Sequence, residues 1–280
     1  MAENADQLNN FRTWVQEQQP ILNSLNTDEF LLRFLHVTNF NLNHAKEWLI
    51  YFWKHRTENP QWFLNRDLLK NPIMLEISEL AYCIQLPKET KDNHLIFIMR
   101  IGQYDTTKYT FNDVTKYAFA VTDILNKQPN AQINGYIIIL DFSNIKFQHV
   151  NQFTPDYTRR YVNCWEKMYP VKLHQVHFYN YPSLFDPILH LFRLFLNTKL
   201  NDKIYLHSKA LEKSLHQYID PDLLPQEYGG QLGSIGGNLN KTFIQYTRED
   251  NNYMIQFDQY GVDLDRVSNI LKALKKENNN

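Results

Sequence analysis

The stretch that most constrains this chain is LFDPILHLFRLFLNTKL, residues 184–200. Read as one helix at about 100° per residue, it gathers Asp186, His190, Arg193 and Asn197 into a stripe of roughly 60°. Leu184, Phe185, Ile188, Leu189, Leu191, Phe192, Leu194, Phe195 and Leu196 fill an arc of roughly 220°, about twice what a core-facing helix needs. One packing partner cannot cover that arc. Leaving half of it in water would forgo about 1.5–3 kcal/mol per large side chain. Several such losses approach the ~5–15 kcal/mol by which a whole domain is stable. The second face therefore needs another helix, a buried apolar ligand or a membrane interface against it.

The composition also speaks of much apolar surface to hide, with 43% hydrophobic residues, 18 Phe and 17 Tyr. At 280 residues the chain can hold one large domain or two modest ones. A net charge of −1 offers no global basic field for nucleic acid. Cys83 and Cys164 have no metal-type spacing and suit a reduced, intracellular compartment. MAENADQLNN lacks the apolar core of a signal peptide, and no uncharged apolar run of about 18 residues occurs, so a soluble cytoplasmic protein is expected.

Hydrophobic periodicity divides the chain. Residues 7–70 predict helices, with Thr27 and Asn41 as caps and Pro60 as a stop. Helices alone are expected to about Leu80. Then HLIFIMRIG (94–102), GYIIILDF (135–142) and VKLHQVHFYNYP (171–182) read as strands. Helices from Thr110 or Asn112 and from Pro155 separate them, and the 184–200 helix follows. Alternating strand and helix predicts an α/β fold with a mostly parallel sheet. Residues 243–257 are weakly patterned, whereas Val262 to Lys275 is amphipathic at helical spacing. The expected division is a helical domain over 1–80, an α/β domain over 81–235 and an extension over 236–280.

Motifs for catalysis are wanting. GGQLGSIGG (229–237) is followed by Asn240, Lys241 and Thr242, so glycine does not directly precede the Lys-Thr pair as a phosphate loop requires. Neither G-x-G-x-x-G nor G-x-S-x-G occurs, which speaks against an oxidoreductase or hydrolase. His174 and His177 sit at odd spacing, on opposite faces of a regular strand, and His207 and His216 lack acidic or cysteine partners at ligand spacing. No metal, cofactor or catalytic residue is expected. Between Lys146 and Lys213 there are ten Lys or Arg against five Asp or Glu. Lys172, Arg193, Lys199 and Lys203 flank or ride on the doubly apolar stretch, an arrangement that suits an anionic membrane surface.

Several segments in register resemble the CRAL-TRIO lipid-transfer family, in particular its tocopherol- and retinaldehyde-binding members. They are FLLRFLHVTNFNLNHAKEWLIYFWKHRTENPQWF (30–63), NGYIIILDFSNIKFQHVNQFTP (134–155), YPVKLHQVHFYNYPSLFDPILHLFRLFLNTKL (169–200) and LLPQEYGG (223–230). The resemblance implies an enclosed apolar cavity closed by residues 184–200 as a mobile gate. Its walls would be Ala118, Thr122, Tyr136, Leu140, Ile145, Phe147, Phe153, Tyr161, Cys164, Trp165 and Val176, with Phe185, Ile188, Leu189 and Phe192 on the gate. Thr122, Tyr136 and Tyr161 would offer the cargo a hydrogen bond. Lys172, Lys199 and Lys203 match a phosphoinositide-binding cleft of the family, while Thr38 and His174 stand where that cleft has arginine. The expected function is a carrier that moves one hydrophobic lipid, a tocopherol, retinoid or other isoprenoid, between membranes. The alternative is a phosphoinositide-binding signalling or trafficking adaptor.

Overall fold

The computed structural model describes residues 2–277. Through Glu79 the chain is helical, as α1 (Ala2–Glu17), α2 (Asp28–Val37), α3 (Leu42–Glu58), α4 (Pro60–Phe63) and α5 (Pro72–Glu79), interrupted by the two-residue strand β1 (Leu22–Asn23). The Asn41 side chain caps α3 by accepting the His44 N–H at 3.0 Å. Thr27 has the extended backbone of a cap, but its side chain makes no capping bond. Pro60 opens α4 at a position where its missing N–H costs nothing.

The central sheet contains β2 (Cys83–Gln85), β3 (Leu95–Arg100), β4 (Tyr136–Asp141), β5 (Leu173–Tyr179) and β6 (Ile204–His207), in that spatial order. β2 runs antiparallel to β3 and the remaining pairs are parallel. The crossovers carry α6 (Phe111–Leu125), α7 (Pro129–Ile133), α8 (Phe147–Val150), α9 (Pro155–Asn163), α10 (Asp186–Phe195) and α11 (Thr198–Asn201). This is the α/β architecture that the alternation predicts. Thr110 starts α6 with a capping box, its N–H donating to Asp113 Oδ2 at 2.8 Å. On α6, Asp123 has no exposed surface and lies between the buried Arg56 and Arg66, with Arg66 Nη1 at 2.5 Å.

Two expectations are corrected. Residues 184–200 do not form one helix: a 3₁₀ turn (Ser183–Phe185) leads into α10, the backbone becomes extended at Leu196 (φ −77°, ψ 139°), and α11 starts afresh. The cause is local. The Asn197 side chain accepts the Leu200 N–H at 2.9 Å, and the Asn197 N–H is taken by the Glu166 carboxylate, so the helical ladder stops there. Asn197 is a cap and does not extend the polar stripe.

The second correction concerns the weakly patterned end. After α12 (Leu211–Leu215) and a turn with Gly229 at φ +70°, the chain forms α13 (Asn240–Glu249), α14 (Asn251–Ile255), β7 (Gly261–Val262) and α15 (Val267–Glu277). α15 begins at Val267, because Val262 is committed to β7 and the Asp263 carboxylate takes the Asp265 and Arg266 N–H groups in a turn. β7 pairs antiparallel with β1. Phe257 enters the N-terminal core, its ring centroid 5.9 Å from Phe30 and 5.7 Å from Trp53.

Candidate functional site

One face of the sheet and the helices above it line two adjoining apolar cavities, both partly open. The front cavity, of about 80 Å³, has a floor of alternate strand residues: Met99 on β3, Ile138 and Leu140 on β4, Val176 and Phe178 on β5. Its roof combines Tyr161, Val162 and Trp165 with Phe192, Leu196 and Leu200. The rear cavity, about 10 Å³ and so roughly one water in size, lies among Phe97, Thr122, Leu125, Tyr136 and Val171. Ile138 and Trp165 belong to both, so Trp165 stands between them.

Tyr136 owes its position to its neighbours. Gly135 holds φ +79°, and a Cβ there would sit 2.1 Å from the Lys172 carbonyl oxygen. Without a side chain at 135, β4 comes close enough for the Tyr136 N–H to donate to that oxygen at 2.8 Å. The register then slips: Tyr136 pairs with Leu173 and Ile137 with Gln175, leaving His174 as the extra residue of a bulge. The bulge shifts the face parity, which is how Leu173 joins Val176 in lining the front cavity.

Trp165 lies on a π-helical turn (Cys164–Met168) that continues α9, a distortion common at functional sites. The next residue, Glu166, accepts the Asn197 N–H just beyond α10. At the other end of α10, Tyr181 Oη donates to Asp186 Oδ1 at 2.8 Å. Ile188 and Leu189 are buried beneath the helix, whereas Leu184 and Leu194 are 40% and 63% exposed.

Of the residues expected around a cavity, Leu140, Tyr161, Trp165, Val176 and Phe192 line the front one, and Thr122, Tyr136 and Trp165 the rear one. Phe153 lies 5.4 Å from Phe185 and 6.2 Å from Phe192, ring to ring, and so backs the α10 face. Ala118 and Cys164 are buried behind the lining, and Ile145 packs against the same core. Burial pushes the Cys164 thiol well up, leaving it protonated and inert. Phe147 is 60% exposed and does not reach either cavity. Sequence reasoning missed Ile138, which the alternation 136, 138, 140 could have supplied. It also missed Leu173, hidden by the bulge, and Leu196 and Leu200, hidden by the helix break.

The candidate basic groups gather in part. Lys172 and His174 lie at the start of β5, and Lys203 Nζ donates to the Leu173 carbonyl. The His174 ring stacks on His94 at 3.9 Å, and burial together with that neighbour holds His94 below its usual pKa. Lys199 is exposed on α11. The Thr38 hydroxyl donates to the Phe34 carbonyl at 2.8 Å.

On the opposite face of β5, His177 Nδ1 lies 3.0 Å from His207 Nε2, and His207 Nδ1 lies 2.7 Å from Ser214 Oγ. His177 Nε2 lies 3.1 Å from Gln175 Oε1. Among the described residues no group of three or more His, Cys, Asp or Glu could hold a metal ion. Nor is any helix among them long and apolar enough to cross a membrane.

Residues 81–230, more than half of the chain, match the CRAL/TRIO domain. The chain belongs to the CRAL/TRIO family. Residues 1–73 also match the Pinta-like UBA domain. Proteins similar to this chain include clavesin-2 of Rattus norvegicus, 26% identical over 92% of this chain and 79% of its own length. Clavesin-1 of Xenopus laevis is 30% identical over 76% of this chain and 64% of its own length. Among solved structures, Sfh5 superposes with a TM-score of 0.60 at 16% identity, covering 91% of this chain and 96% of Sfh5, a likeness of fold. CRAL/TRIO membership places the chain among lipid-binding and lipid-transfer proteins.

Proposed function

We propose that this protein carries one hydrophobic lipid beneath α10 and transfers it between membranes, with no bond made or broken. The observation that carries the reading is the apolar front cavity, roofed in part by Phe192 of α10, with Leu184 just before that helix and Leu194 on it facing solvent. At about 80 Å³ the front cavity is below the ~300–1,000 Å³ typical of ligand sites. Loading therefore requires the roof to move. α10 suits that motion: polar tethers hold its two ends, Tyr181 to Asp186 and Glu166 to the Asn197 N–H, and apolar contacts hold its inner face. In transit those contacts are kept; at a membrane the exposed Leu184 and Leu194 find an apolar phase, and displacing α10 costs less.

In this reading residues 81–235 hold the cargo, residues 1–80 and 236–280 support that unit, and the cargo is a tocopherol, retinoid or other isoprenoid. Lys172, His174, Lys199 and Lys203 meet an anionic or phosphoinositide-containing surface. The protein works in the cytoplasm and visits membranes transiently. The test is native mass spectrometry of protein purified from a eukaryotic host after incubation with total lipid extract. One dominant lipid at near one-to-one stoichiometry is expected. Protein that retains no lipid yet still binds phosphoinositide vesicles would point instead to a membrane adaptor.

A further inference from the structure

Tyr136 is 5% exposed, and its hydroxyl is buried without a hydrogen-bond partner among the described residues. The phenol lines the rear cavity at the start of β4, where Gly135 and the bulge set its position. Burial pushes its pKa up, so it keeps its proton throughout the physiological range. Thr122, on the same cavity, donates its own hydroxyl to the Ala118 carbonyl at 2.8 Å. Phe97, Leu125, Ile138 and Val171 complete the chamber with hydrocarbon and aromatic surface. The rear chamber thus presents an uncommitted phenolic donor, and a buried donor calls for an acceptor.

Resting on the carrier reading, we propose that the rear chamber receives the polar end of the cargo, an uncharged oxygen that accepts a hydrogen bond from Tyr136, and that Trp165 turns aside to join the two chambers. The cargo is then a lipid with a long apolar body and one terminal carbonyl, ether or hydroxyl oxygen. Among the described residues no cationic side chain lines either cavity, and the buried Arg33, whose charge is felt at Tyr136, lies outside both linings, so a carboxylate would make no direct ion pair there. The front cavity, walled by Met99, Leu140, Val176, Phe178 and Phe192, takes the hydrocarbon body. Trp165 sets the boundary: its indole separates a chamber fit only for hydrocarbon from one that also offers a donor.

The test uses the full chain incubated with phosphatidylcholine vesicles doped with equal amounts of octadecane, hexadecyl methyl ketone and octadecanoic acid. After separation from the vesicles, the retained probes are quantified by gas chromatography and mass spectrometry. The ketone should be retained about tenfold over the hydrocarbon, the ratio expected of one buried hydrogen bond. Tyr136→Phe, which keeps the ring and its packing, should bring the ratio near one by lowering retention of the ketone. Trp165→Ala should raise retention of the ketone more than that of octadecane. An unchanged ratio in Tyr136→Phe, equal retention of ketone and octadecane by the unaltered chain, or a preference for the acid would overturn the assignment and leave the carrier reading standing. Retention of none of the three would overturn both.

Discussion

Asp123 shows at the scale of one residue how this core tolerates charge. Burial alone would raise its carboxyl, but the Arg56 and Arg66 guanidiniums outweigh that effect and hold it below its usual value. Arg56 is further enclosed by Phe52, Phe63 and Phe257, with ring centroids at 4.1, 4.7 and 5.0 Å, a favourable setting for a guanidinium. Removing the carboxylate would leave two buried cations facing each other. Asp123→Asn is therefore expected to cost about 3–5 kcal/mol, a large part of a domain's stability, read as a lower urea midpoint at neutral pH. A variant with unchanged stability would show that the aromatic rings alone satisfy the arginines. The family resemblance names Thr122, Tyr136 and Tyr161 together as hydroxyls of one site. Which of them is free depends on the side-chain rotation that ties Thr122 to Ala118, and periodicity carries no information on that.

Strands β5 and β6 are linked at the element scale by the His177 and His207 pair, which lies beside Tyr205 and Tyr218. Burial first, and then the neighbouring His207, pushes His177 down to about 3. The folded state thus binds fewer protons there than the unfolded chain, whose histidine titrates near 6.5. Stability from this group is present above about pH 6.5 and is lost as the pH falls toward about 3. Between pH 7 and pH 5 the loss is about 2 kcal/mol, measurable as a lower denaturant midpoint. His177→Gln should flatten that slope, and an equally steep slope in the variant would place its origin elsewhere. β3, β4, β5, α6 and α9 were readable because apolar runs alternate with amphipathic stretches bounded by turn residues, whereas β2 and β6, at three and four residues, are too short to show a period. The break at Leu196 was not, since it is made by Glu166, distant in sequence. α13 and α14 escaped notice although Phe243, Ile244, Thr247, Asn251 and Met254 repeat at helical spacing, because two of the buried positions are polar.

Over the whole molecule, the last segment is a clasp on the first. Phe257 fills the N-terminal aromatic cluster, Val267, Leu271 and Leu274 of α15 are buried with it, and β7 pairs with β1. At about 1.5–3 kcal/mol per large buried side chain, these residues together rival the stability of a domain. A chain ended after Leu239 is expected to lose cooperative thermal unfolding by circular dichroism. A truncated chain that melts like the full one would contradict the clasp. The join also has a temporal side. Thr57 on α3 and Val262 on β7 touch across 205 residues of sequence. At the ~5–20 residues per second of translation, α2 and α3 leave the ribosome roughly 10–40 s before the strand and helix that seal them. Of the two, the segment made earlier is thus the later to be finished, and through that interval its open aromatic face is exposed to aggregation.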